Sequence, residues 1–198
     1  MPNLAVALPP SLHEGDRLSS AEFLTRWQAM PELKQAELID GVVFCLPSPV
    51  SISHGSAHRD ISARLWLYTE ATPGCESGLE TTWVMSASSV PQPDVHLRIL
   101  PEYGGQSSES GDYCAGAPEL IAEVSGSTLS RDLGAKLELY RRAGVKEYIT
   151  VLLKPRQVLW RHLVRGRYQV IAADEDGLLR SRAFPGLWLD ADSIWSKK

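Results

Sequence analysis

Three polar residues interrupt otherwise apolar stretches of this chain, and their types could do phosphoryl chemistry together. Asp94 follows Pro93 and opens the run DVHLRIL. Glu123 sits inside LIAEV, a strand-like segment in which alternate residues take alternate faces, so it shares a face with Ile121 and Ser125. Lys136 lies in RDLGAKLELYRRAG. At about 100° per residue it falls between Tyr140 and Leu139, within the apolar arc of Leu133 and Leu137, while Glu138, Arg141 and Arg142 take the outer face. A lysine on an inward face needs a counter-charge. Asp132, four residues earlier, offers one, and the carboxylate of the preceding strand offers another. Two carboxylates about 4 Å apart repel by roughly 4 kcal/mol at an effective dielectric of about 20. A shared proton, a lysine or a divalent cation would neutralise them. Oxygen ligands completed by water suit Mg2+ or Mn2+. Such an ion beside an ammonium suits water activation and charge stabilisation at a phosphate. Each residue also has a plainer reading: a turn residue for Asp94, an edge or ion-pair residue for Glu123, and a stem lying over Leu133 for Lys136.

The elements that must position these groups are legible as patterns. Ser19 or Ser20 caps a short helix carrying Glu22, Phe23, Leu24 and Trp27, which stops near Pro31. Asp40-Gly41 between two apolar runs predicts a hairpin with strands near 36–39 and 42–46. A long helix is expected from His54 to about Ala71, ended by Pro73-Gly74. Strands are expected near 76–85, 94–99 and 119–125, and residues 101–116 read as a long, mobile loop. A helix with Ser130 as candidate cap and Gly144 as its stop follows. KEYITVLL reads as a buried strand, and QVLWRHLV, RYQVIAA and LLRSRAF as an antiparallel extension with turns at Arg165-Gly166 and Asp176-Gly177. A short helix near 190–195 closes the chain. Mixed strands with two main helices give a single α/β or α+β domain over 19–198, preceded by a loose, Pro-rich arm over 1–18.

The order PQPDV, APELIAEVSGST, RDLGAKLELYRRAGVKEY resembles the Uma-type restriction endonucleases, a bacterial branch of the PD-(D/E)XK nuclease superfamily. The resemblance covers about residues 20–190 and is most specific over 117–148, with AELIDG and SPVSISH fitting in the front half. It implies a restriction-endonuclease-like fold, with a central mixed sheet flanked by helices and Asp94 and Glu123 on neighbouring strands. It also implies a Mg2+-dependent endonuclease acting on nucleic acid, with DNA the first expectation, and a homodimer. Asp94 matches the metal-binding aspartate after proline, and Glu123 the second acidic position. The superfamily lysine commonly lies two residues after that acid, where this chain has Ser125; Lys136 of the next helix matches the family's lysine. Glu37 matches a position that supplies a further metal ligand, and His54 one that contacts water or phosphate. Leu152 stands where the family's aspartate is expected. That departure keeps a second reading open, a catalytically silent module of the same fold that binds nucleic acid or protein. A hydrolase of small phosphate esters is a third. His13, His58, His96 and His162 match no motif and read as surface or core residues, and the six tryptophans as core or interface residues.

Composition bounds these readings. At 198 residues the chain can bury a full core, and 43% hydrophobic with 22% charged residues is ordinary for a globular domain. There is no apolar run of membrane-spanning length, and the N-terminus lacks a basic leader pattern. Three widely spaced cysteines argue against a disulfide framework and fit a cytoplasmic location. The net charge of −4 would discourage a nucleic-acid substrate. It is an average, however: residues 126–170 hold ten Lys or Arg against three acids, +7, and the remainder carries −11. The basic segment could grip a phosphate backbone beside the site, with weak and salt-sensitive binding.

Overall fold

In the computed structural model, which describes residues 8–45 and 50–195, the polar turns and apolar runs build a six-stranded mixed sheet with different material on each face. The elements in chain order are α1 (Ser20–Gln28), β1 (Ala36–Ile39), β2 (Val42–Cys45), α2 (Ile52–Ala71), β3 (Cys75–Leu79), β4 (Trp83–Val84) and β5 (Val95–Ile99). Then come β6 (Ser108–Ser110), β7 (Tyr113–Ala115), β8 (Leu120–Ser125), α3 (Leu129–Asp132), α4 (Ala135–Ala143) and β9 (Glu147–Leu152). The chain ends with β10 (Gln157–Val164), β11 (Arg167–Val170), β12 (Leu178–Arg180), β13 (Trp188–Asp190) and a 3-10 turn over Asp192–Ile194. The central sheet runs β11-β10-β9-β8-β5-β3. Only β8 and β9 are parallel, joined by the crossover through α3 and α4; the other pairs are antiparallel.

Period-2 alternation decides what each face holds. Leu120, Ala122 and Val124 of β8 face Ala57, Ile61 and Leu65 of α2, together with Leu179, Leu189 and Phe184 from the C-terminal segment. Ile121 faces the opposite way, against Leu139 and Tyr140 of α4 and Ile39 of β1. Glu123 is two residues on from Ile121, so the same alternation turns it toward α4. A third apolar cluster joins Phe23 of α1 to Leu38, Val43, Val90 and Leu12.

Most expected elements are present at or near their expected bounds, and Ser19 caps α1 by accepting from the Glu22 amide. Asp40 and Gly41 both take positive φ (51° and 78°), as the tight β1–β2 turn requires. Several expectations need correction. The strand expected near 76–85 is two strands in different sheets, β3 in the central sheet and β4 beside β7. The arm is tied down within its described part: Leu12 is buried, and Gly15 and Asp16 hydrogen-bond the backbone of Val43. Its first seven residues, and residue 46 of the expected second strand, lie outside the described residues. The 101–116 loop folds into the hairpin β6–β7, which β4 joins in parallel to make a three-stranded sheet. Its strands are too short to show a period, and Gly111 (φ 61°) makes the turn. The expected single helix after β8 is broken into α3 and α4, because Gly134 adopts φ −118° and ψ −99°. Thr128 rather than Ser130 is the N-cap residue of α3. The C-terminal helix shortens to the 3-10 turn.

Candidate active site

The antiparallel β5–β8 register pairs Val95 with Ala122, so Asp94, one residue earlier, emerges beside Glu123 at the sheet's end. The Asp94 carboxylate continues the ladder in place of a backbone carbonyl: its Oδ2 accepts from the Val124 amide at 2.7 Å. The Asp94 carbonyl accepts from the Glu80 amide at 3.2 Å and lies 3.0 Å from His58 Nε2. The aspartate is therefore held by main chain on one side and a helix on the other, with its side chain about a quarter exposed.

Glu123 reaches the α4 face. Its Oε1 accepts from Lys136 Nζ at 2.8 Å and from the Tyr140 hydroxyl at 2.7 Å. Lys136 Nζ also donates to Glu37 Oε1 at 2.8 Å, so the buried ammonium bridges two buried carboxylates. Glu37 Oε1 accepts the Gln92 amide as well, while its Oε2 has no hydrogen bond among the described residues and lies 3.7 Å from Arg131 Nη1. His54, in the first turn of α2, places Nε2 3.8 Å from Asp94 Oδ2. All of these residues line one cleft of about 350 Å³, except Tyr140, which supports Glu123 from behind.

Burial pushes the Glu123 carboxyl well above the ordinary glutamate range; Lys136 pulls it down, while Asp94, Asp132 and Glu37 push it further up. Burial opposes the charge on Lys136, but Glu123, Glu37 and Asp132 outweigh it and hold the pKa above the ordinary lysine value. Burial, reinforced by Glu123 and Glu37, pushes the Tyr140 phenol well above its usual range, so it remains a donor.

The five residues singled out by sequence thus share one cleft, though not all in the expected arrangement. Asp94 and Glu123 lie together. Lys136 is inward as the helical wheel requires. Its partner is not Asp132, because the break at Gly134 removes the four-residue helical relation; Asp132 instead accepts from Ser125 and Thr128, tying α3 to β8. Glu37, expected as a further metal ligand, faces Lys136. Among the described residues no three His, Cys, Asp or Glu side chains converge as a ready-made metal cage. His58, which reads from the sequence as a surface or core residue, holds Asp94 and lines the cleft. The available signal was its spacing of four from His54 on one helical face. Tyr140 gave no polar signal, since its ring reads as core.

The basic segment is not laid along the cleft. Arg141 pairs with Glu138, Arg142 with Asp40 and Lys146 with Glu119, and Arg156 donates to the Trp195 carbonyl. Of its ten cations only Arg131 and Lys136 line the cleft. Leu152 is buried in β9 and is not among the cleft residues, so the departure from the family pattern falls outside the site. Trp83 and Trp160 are core residues, while Trp66 and Trp188 stand half exposed.

A family model for Uma2, described as "Putative restriction endonuclease", matches residues 21–192. Among solved structures, a putative nuclease belonging to DUF820 from Anabaena variabilis ATCC 29413 superposes with a TM-score of 0.64 at 16% identity, covering 87% of this chain and 98% of that one. At that identity the likeness is one of fold. Among curated proteins there is no match.

Proposed function

We propose, for a chain that belongs to the Uma2 restriction-endonuclease family, that the cleft is the active site of a metal-dependent endonuclease hydrolysing phosphodiester bonds, with DNA as substrate. The observation that carries this reading is the asymmetric use of Glu123. Among the described residues both of its hydrogen bonds fall on Oε1, which leaves Oε2 for a ligand, and the β5–β8 register sets Asp94 opposite this residue. Glu37, Glu80, Asp94, Glu123 and Asp132 line the cleft against the cations Arg131 and Lys136. A phosphodiester would meet repulsion there without a further positive charge. The donor set, carboxylate oxygens with room for water, fits Mg2+ or Mn2+ rather than a soft metal. Asp94 and Glu123 would hold the ion, which supplies water activation and charge stabilisation at phosphorus.

The chain's own groups do the rest. Glu37 anchors Lys136 so that its ammonium sits beside Glu123. Lys136 stays protonated and stabilises negative charge. His54 stands beside Asp94 at the mouth, placed to contact water or a phosphate oxygen. His58 and the Val124 amide fix Asp94, and Tyr140 fixes Glu123.

The test is cleavage of plasmid and single-stranded DNA with Mg2+ or Mn2+ by the wild type, Asp94→Ala and Glu123→Ala. Loss of cleavage in both variants is expected. Equal cleavage by all three proteins would assign the activity to a contaminant and overturn the reading.

A further inference from the structure

Two cations five residues apart point into one cleft. In a continuous helix Arg131 and Lys136 would stand about 140° apart, and only one could face inward. The backbone of Gly134 breaks the helix between them. A Cβ there would meet the Ser130 carbonyl oxygen at 2.6 Å, so the break is built on glycine. Glu37 then faces both: its Oε1 takes Lys136 at 2.8 Å, and its Oε2 lies 3.7 Å from Arg131 Nη1.

The two cations differ in what they have left to offer. Lys136 donates to two carboxylates and is buried. Arg131 lines the cleft with about a fifth of its side chain exposed, and its Nη1, itself buried, has no hydrogen-bond acceptor among the described residues. Its guanidinium lies 4.9 Å from the Phe44 ring centroid, a stacking contact that fixes the plane, and among the described residues its side chain donates no hydrogen bond. A planar fork with unengaged donors suits the oxygens of a phosphate.

We propose that Arg131 is the substrate-binding residue that takes a non-bridging oxygen of the phosphodiester, with the Gly134 break and Glu37 as the devices that present it. This rests on the nuclease reading and adds the group that grips the phosphate. It also locates the useful part of the basic segment in one side chain.

The experiment uses the full chain and a fluorescently labelled single-stranded DNA oligonucleotide, titrated by anisotropy in Ca2+, with Mn2+ affinity measured separately by calorimetry. Arg131→Gln should weaken oligonucleotide binding by about tenfold or more and lower the salt slope by about one. Its Mn2+ affinity should be unchanged or tighter, because a nearby positive charge is gone. Arg131→Lys keeps the charge without the fork and should fall between. Wild-type oligonucleotide affinity in both variants would overturn the proposal, even with a lower melting temperature, because Arg131 would then serve only as counter-ion to Glu37. If Arg131→Gln does not fold, Arg131→Lys decides alone: equal binding overturns, weaker binding supports. Wild type that binds Mn2+ but not the oligonucleotide overturns this proposal alone. Wild type that binds neither overturns the nuclease reading with it.

Discussion

Replacing Lys136 with methionine removes the charge at the centre of the site while keeping most of the side chain's packing volume. In the native protein the ammonium lies 2.8 Å from an oxygen of Glu123 and 2.8 Å from one of Glu37. At an effective dielectric of about 20, each contact is a gross attraction of about 6 kcal/mol. Burial of the three ions offsets much of that sum. Removing the lysine leaves Glu123 buried without its counter-charge and Glu37 with only Arg131 at 3.7 Å, which costs about 3–5 kcal/mol. For a chain of this size that is a fall of about 6–20 °C in melting temperature. The cost depends on pH with a definite sign. Burial raises the Glu123 pKa, so the folded state binds its proton more tightly than the unfolded chain and stability is lost as pH rises through the folded value. Lys136 opposes that rise, and its own raised pKa keeps it charged throughout. The gap between wild type and Lys136→Met should therefore widen from pH 5 to pH 8 in urea unfolding. A gap under about 1 kcal/mol at pH 8, or one that narrows with pH, would show that the buried triad is not the energetic unit described.

Other substitutions probe single links. Tyr140→Phe removes one of the two donors on Glu123 Oε1; Mn2+ affinity measured by calorimetry should fall about 10–100-fold while the fold survives. Gly134→Ala places a Cβ against the Ser130 carbonyl and should lower the urea midpoint and weaken oligonucleotide binding together. His96 is buried against Trp83 with neither ring nitrogen hydrogen-bonded among the described residues, and burial, aided by Arg98, pushes its pKa down to about 3. The unfolded chain thus takes up a proton that the folded ring refuses, and stability is lost as pH falls below the ordinary histidine range. His96→Phe should remove that part of the acid slope in urea titrations.

The chemistry of the site was more legible than its geometry. Asp94 and Glu123 were visible because each breaks an apolar run, and Lys136 because its helical position contradicts its charge. Glu119 and Glu147 carry the same kind of signal in the sequence, yet they are structural. Glu119 accepts the Ile99 and Gln106 amides, and Glu147 holds Trp160 Nε1, Ser181 and the Ala183 amide. Only the fold separates a carboxylate that fastens a loop from one that opens on a cleft. The pairing of Lys136 with Glu37 joins residues about a hundred positions apart, across a hairpin whose docking no local pattern encodes. The helix break at Gly134 was hidden because apolar spacing continues across it. The hairpin β6–β7 was hidden for the opposite reason, since three-residue strands leave no period to read. The basic segment misled in bulk: charge counted along the chain does not report which cations are already paired.

The most direct check is a crystal soaked in Mn2+, with the anomalous signal located in the cleft. A peak contacting both an Asp94 oxygen and Glu123 Oε2, with Lys136 still on Oε1, is expected. No peak at that position under saturating Mn2+, or one that leaves either carboxylate unligated, would overturn the assignment of these two residues as the metal-binding centre.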